Sequence, residues 1–307
     1  MEDNSSLVGV ESLRWHKLLI VQILVNLFLC INSFLIVTFF LNECFYTTTR
    51  YVLFAVTLFS DSFLLLISNI MLILSYFQFP IPVWLCIIMS VGARMYITVT
   101  PVTLTVMTLE RYVAICMPLR HGELCSRSTT VNCVLIIHGL SSVPWMVFFS
   151  IFFATASRSF YTHDRVCSVA IFILFRWQAD IRASISQFYF VLMVITIIFC
   201  YVEIMKVAKA VSGEKKKSTG KGLRTVILHA FQLLLCLIQL WCPFIETAVL
   251  QISLKLFLNV RYINYLTFSL APRCLSPLIY GLRDEKFLHA LKRNIFFGLC
   301  KINIREM

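Results

Sequence analysis

Long apolar runs separated by short polar links make up most of this chain. The runs cover about residues 18–41, 51–76, 83–116, 130–155, 184–211, 223–250 and 256–280. Six or more of them pass the roughly 20 residues that an α-helix needs to cross a bilayer. A chain in lipid must satisfy its own backbone hydrogen bonds, and an uninterrupted helix does so within one segment. The expected fold is therefore an all-α membrane protein, a seven-transmembrane helix bundle over 18–281. A tail of residues 1–17 precedes it and a segment of 282–307 follows. In that last segment Phe287, Leu288, Leu291, Ile295 and Phe296 recur at helical spacing among basic residues, which predicts a short amphipathic helix on the membrane surface.

Composition supports the membrane reading. The 307 residues are 59% hydrophobic and only 14% charged, against about 25% charged in soluble domains. A net charge of +12 could point to nucleic acid, but the basic residues sit in short links between apolar runs, so no nucleic-acid partner is expected. They gather on one side, in Arg50, Arg120, Arg127, Lys206, Lys209, Lys215, Lys216, Lys217, Lys221, Arg283, Lys286, Lys292 and Arg293. The positive-inside rule makes that side cytoplasmic and the N-terminus extracellular in a multi-pass plasma-membrane protein. The first residues are polar and acidic and the first apolar run is too long for a signal core, so it reads as a signal anchor. No internal repeat is visible, which weighs against a transporter.

Where the third run ends, the chain reads "TLERYVAICMPLRH" from Thr108 to His121. Glu110 and Arg111 lie where a helix leaves the lipid, a depth at which opposite charges are expected to pair. The block resembles the odorant-receptor version of the rhodopsin-like G-protein-coupled receptor signature, "MAxDRYVAICxPLRY". Near the C-terminus "SPLIYGLRDEKF" looks like the same family's "NPIIYxLRNKE", with Ser276 in place of Asn. Leu240-Trp241-Cys242-Pro243 is similar to its C-W-x-P, with Leu240 in place of Cys. The resemblance runs over nearly the whole chain. It implies a small extracellular odorant bound within the bundle and a heterotrimeric G protein, of the stimulatory cAMP-linked type, engaged at the inner face.

It also implies site residues. Glu110, Arg111 and Tyr112, with Tyr201 and Tyr280, form the inner switch, and Trp241, Pro243 and Pro277 form hinges, because a proline inside a span removes a backbone hydrogen bond. The alternative for Trp241 is an indole that fills a wide core. Arg94, Ile97 and Thr98 share one face of the third span and by resemblance point toward Tyr189, Phe244, Ile245, Tyr265 and Ser269, a largely apolar set suited to a small-molecule cavity. Arg94 either anchors a ligand carboxylate or pairs internally with Glu246. Ala93 stands where amine receptors place an Asp, and Leu270 where opsins place the retinal-binding Lys. Asp61 is a mid-membrane carboxylate at a position that holds sodium in related receptors. Arg273 lies one turn outward from Pro277 and is expected to pair with Asp61, since an unpaired charge at that depth is costly.

Of the 12 cysteines, only Cys86 and Cys167 fall on the side read as outer. They are expected to pair, and the resemblance implies the same disulfide. The mainstream odorant receptors have further cysteines in that loop, so the chain looks like a divergent, fish-type branch. Asn4-Ser5-Ser6 is the one N-x-S/T glycosylation sequon, and it falls in the tail read as outer. No catalytic motif, metal-ligand spacing or cofactor-binding pattern is present, so an enzyme, a metal and a cofactor are not expected. Two further readings remain open, an orphan receptor of the same class for a lipid or other small ligand, and a channel or transporter. The latter would need polar residues along several spans, and only Asp61, Arg94, Glu246 and Arg273 qualify.

Overall fold

The computed structural model describes residues 2–161, 164–167, 172, 175–210, 216–277 and 286–294; the side chains of 2–14, 216–226 and a few single positions are not described. Helices α1 (Glu2–Phe40), α2 (Thr49–Tyr76), α3 (Val83–Cys116), α5 (Arg127–Thr155) and α6 (Arg176–Ala210) each form one crossing. A short helix α4 (Pro118–Leu124) links α3 to α5, and its first residue is a proline, placed where a missing N–H leaves no bond unmade. The α1 helix continues back through residues read from sequence as a tail.

The sixth crossing is broken. Helix α7 (Lys216–Gln239) and helix α8 (Cys242–Leu250) meet at Leu240 and Trp241 with a bend of 40°. Pro243 lies in the first turn of α8, where its ring forbids continuation of the α7 hydrogen bonds. The seventh crossing is interrupted differently. Helix α9 (Leu254–Asn264) widens into a π-helical stretch, Tyr265–Leu270, before α10 (Ala271–Ser276). Nothing in the hydrophobic pattern signals this widening, which is set by tertiary contacts and recurs near functional sites. A last helix covers 286–294.

Helix α3 is the hub, packed against α2, α5, α6 and α7. Its second half is rich in threonine, and the hydroxyls of Thr103, Thr105 and Thr108 each donate to the carbonyl four residues back, at 2.8, 2.8 and 3.0 Å. This back-bonding hides three polar groups inside an apolar helix. The main core joins Leu35, Leu53, Leu58, Val99, Leu104, Ile137, Leu233 and Phe287, so five crossings and the 286–294 helix close on one another.

The ends of the bundle differ. At one end Cys86 of α3 is bonded to Cys167, with Cα atoms 5.6 Å apart. Beside it β1 (Pro80–Pro82) pairs antiparallel with β2 (Asp164–Val166), Ile81 opposite Arg165. Two of the three residues of β1 are prolines, which a two-stranded edge tolerates because they need not donate. Phe148, Phe149, Phe152, Phe160 and Phe172 close edge-to-face beneath this ribbon. The other end carries Glu110, Arg111 and α4.

Candidate functional site

The deepest polar structure lies mid-bundle. Arg273 of α10 and Asp61 of α2 face each other, Nε to Oδ1 at 3.8 Å, and both are sealed from solvent. The carboxylate is braced further by α3 and α10: Thr100 of α3 donates to Oδ1 at 2.9 Å and Ser276 of α10 donates to Oδ2 at 2.9 Å. Gln232 of α7 donates to the Ser276 hydroxyl at 2.6 Å and to the Pro272 carbonyl at 3.1 Å. The Arg273 guanidinium also donates to the Ser269 carbonyl and, at 3.4 Å, to Gln239 Oε1. Gln239 in turn donates to the Ser269 hydroxyl at 3.2 Å. One network therefore ties four crossings, and a guanidinium occupies the space beside the carboxylate. Gln232 and Gln239 escaped notice in the sequence, although seven residues separate them and place them on one face of a helix.

The residues expected to line one cavity are spread out. Thr98 accepts a hydrogen bond from the Trp145 indole of α5 at 3.0 Å, and the Arg94 guanidinium lies over the same ring, 5.2 Å from its centroid. That face of α3 is thus directed at the fourth crossing, and Ile97 beside it is half-buried. Tyr189 donates to the Leu140 carbonyl of α5 at 2.7 Å. Tyr265 packs with Val21, Val25 and Leu65 of the first two crossings. Ser269 belongs to the Arg273 network. Phe244 and Ile245 are exposed on α8. Periodicity identified faces correctly but not which neighbour each face meets.

The internal partner considered for Arg94 is otherwise engaged: Glu246 accepts from Asn264 Nδ2 at 3.2 Å. Among the described residues, Arg94 Nε is buried with no hydrogen-bond partner. The charged neighbour whose field reaches Arg94 is a second cation, Arg182 of α6. Arg182 precedes the fifth apolar run, but α6 begins at Arg176 and takes it into the helix.

At the opposite end Arg111 and Glu110 are ion-paired, Nε to Oε2 at 3.6 Å. The other carboxylate oxygen of Glu110 lies 3.5 Å from His121 Nε2, so α4 is held against the end of α3. Tyr112 packs its ring on Phe199 of α6 with centroids 5.5 Å apart. Tyr201 is half-buried on α6, and Tyr280 lies outside the described residues. The Trp241 ring sits at the α7–α8 break, half-exposed, against Phe190 of α6 and Phe244, so it is not sealed in the core. Pro277 is buried at the end of α10 with helical dihedrals. Asn4 lies within α1, and its side chain is outside the described set.

These features have counterparts among known proteins. Residues 31–280 match the model of the rhodopsin-family seven-transmembrane receptors. The chain belongs to that family. The match runs from the first crossing to Tyr280, so the interrupted segment through α9 and α10 counts as the seventh crossing of a multi-pass membrane protein. The family is one of receptors, not of enzymes. The receptor is 44% identical to the zebrafish (Danio rerio) odorant receptor 131-2 over 288 residues, 93% of this chain and 88% of that one. It is 25% identical to the guinea-pig (Cavia porcellus) B2 bradykinin receptor over 212 residues, 64% of this chain and 55% of that one.

Proposed function

We propose that the receptor is an odorant receptor of the plasma membrane, with its N-terminus outside and its Arg111 end in the cytosol. A small molecule binds within the bundle beneath the disulfide-tied loop, and the Arg111 end engages a heterotrimeric G protein that stimulates cAMP formation. The observation that carries this reading is the 44% identity to a zebrafish odorant receptor across 93% of the chain. The bradykinin-receptor match is lower and shorter, and it speaks to the family more than to the ligand.

The ligand carries a carboxylate or a similar anion. Arg94 has a buried, unpartnered Nε among the described residues, its charged neighbour Arg182 is also a cation, and Glu246 is held by Asn264. Two cations near one another in a low-dielectric bundle favour an incoming anion that relieves their repulsion. Glu110, shared between Arg111 and His121, is the resting latch of the inner face. Trp241, at the broken sixth crossing, and Pro277 are the positions about which the helices move. The Asp61–Arg273 pair takes the place of a bound sodium ion.

The test is expression in cells with a cAMP reporter, challenged with panels of amino acids, organic acids and neutral volatiles. Dose-dependent cAMP from an acidic ligand supports the reading. Surface-expressed receptor that passes ligand-gated current in the absence of G protein, without cAMP, overturns it in favour of a channel.

A further inference from the structure

Helix α6 is bonded to α5 at two heights. Gln178 Nε2 donates to the Thr155 hydroxyl at 2.8 Å, and the Tyr189 hydroxyl donates to the Leu140 carbonyl at 2.7 Å. Arg182 stands between them. At 3.6 residues per turn Gln178, Arg182 and Tyr189 fall within about 40° of one another, so Arg182 shares the face that both bonds direct at α5. Trp145 stands between the same two bonds on α5. At 1.5 Å per residue it lies roughly 8 Å along α5 from Leu140, and Arg182 lies roughly 10 Å along α6 from Tyr189. The half-buried Arg182 therefore comes level with the indole that carries the Arg94 guanidinium on its face.

Two cations thus reach one place from different helices. Arg94 Nε is sealed and has no hydrogen-bond partner among the described residues. No ion pair among those residues holds either guanidinium. Asp180, two residues before Arg182, is exposed and about 200° around the helix from it. Glu246 is held by Asn264, and Asp61 by Thr100, Ser276 and Arg273. A ligand with one anionic group would match one guanidinium and cut the other off from water, and a stranded cation is costly. Each guanidinium also presents a planar fork of donors that fits one carboxylate.

Resting on the carboxylate reading above, we propose that the receptor recognises a dicarboxylate, with one carboxylate on the Nε edge of Arg94 and the other on Arg182. Arg94 serves monoacids and diacids alike. Arg182 is the residue that discriminates between them, because only a diacid satisfies both forks.

The test uses full-length receptor in phosphatidylcholine nanodiscs and reads binding as a ligand-induced shift in thermal stability, which needs no G protein. The probes are the unbranched diacids from butanedioate to octanedioate, each beside its own monomethyl ester, which keeps the chain and removes one charge. In the wild type the best diacid is expected to bind about tenfold or more tightly than its monoester, the worth of one charge-assisted hydrogen bond. Arg182→Gln should bring the diacid down to the monoester's affinity and leave the monoester nearly unchanged. Arg182→Lys, which keeps the charge, should retain part of the preference, and Arg94→Gln should weaken both ligands. Lys255→Gln removes a charge from the exposed start of α9 and should change neither. Equal binding of diacid and monoester by the wild type overturns the dicarboxylate proposal and leaves the carboxylate reading standing. A preference that survives in Arg182→Gln, or an equal loss of both ligands there, also overturns it. Binding of neither class by a receptor that still melts cooperatively overturns the carboxylate reading and this proposal with it.

Discussion

Arg273 and Asp61 meet in the middle of the bundle at 3.8 Å, with neither side chain open to solvent. Thr100 and Ser276 supply the carboxylate's remaining hydrogen bonds. Removing one partner of such a pair strands a charge, which costs about 3–5 kcal/mol, while removing both at similar volume is far milder. Asp61→Asn and Arg273→Gln are each expected to cut surface expression and thermal stability sharply, and the double variant to recover much of both. Because the guanidinium occupies the space, ligand affinity is expected not to change when sodium replaces potassium. A double-mutant cycle in a thermal-shift assay, with affinity measured in both salts, checks this. Singles no worse than the double would sink it.

Arg94 has a cationic neighbour and an aromatic plate but, among the described residues, no hydrogen-bond partner for its Nε. Arg94→Ala is expected to raise the half-maximal concentration for carboxylate ligands about tenfold or more, the loss of a charge-assisted hydrogen bond of about 1.5–3 kcal/mol. Responses to neutral ligands should move much less. Glu246→Gln, whose partner is Asn264, should leave acidic ligands unaffected. Dose-response curves for matched acid and amide ligands in the three receptors provide the comparison.

Trp145 donates to Thr98 from a position 8% exposed while its ring face carries Arg94. Trp145→Phe keeps an aromatic ring but removes the donor and weakens the cation–π contact, which is worth about 2 kcal/mol when desolvated. Acidic ligands are expected to lose several-fold in potency with little change in surface expression. Retained potency in Trp145→Phe would mean that Arg94 is positioned by something else.

Depth along a crossing is legible in sequence, and orientation around the bundle is not. The seven apolar runs, the Pro243 break and the pairing of Cys86 with Cys167 could all be anticipated, because each follows from hydrophobic length, proline geometry or the small number of cysteines on one side. Asp61 and Arg273 could be matched because both lie near the middle of their crossings. The placement of Arg94 and Thr98 against Trp145 could not, since helical spacing says which residues share a face and nothing about the helix opposite. The π-helical stretch at Tyr265–Leu270 and the proline-rich ribbon of β1 were equally hidden. Each is a local departure imposed by neighbours. His121 was overlooked because an 11-residue separation becomes a contact only after Pro118 restarts the chain as α4.

The loop over the disulfide end is held twice, by Cys86–Cys167 and by the β1–β2 ribbon. The crosslink closes a separation of 81 residues, and loss of such a link costs about 2–5 kcal/mol. Cys86→Ser, Cys167→Ser and the double variant should be equally impaired in ligand response and stability, because each removes the same bond. Any single variant markedly worse than the double would point to a mispaired thiol. Non-reducing peptide mapping identifies it.

Glu110 divides its two carboxylate oxygens between Arg111 on its own helix and His121 on α4. The carboxylate is the shared partner, so Glu110→Gln loosens both contacts, whereas His121→Ala loosens only the tie to α4. If this arrangement holds the inner face closed, Glu110→Gln raises ligand-free cAMP the most and His121→Ala raises it by a smaller amount. Both contacts are partly exposed, so each is worth about 1 kcal/mol or less, enough to shift a two-state equilibrium several-fold. In the double variant the His121 substitution should add little, since its partner is already gone. Arg111→Ala should behave differently if, as proposed above, the freed guanidinium is itself the group offered to the G protein; basal and evoked signals should then both fall. Basal cAMP normalised to surface receptor separates these cases. Unchanged basal signalling in Glu110→Gln would show that the latch lies elsewhere in the bundle.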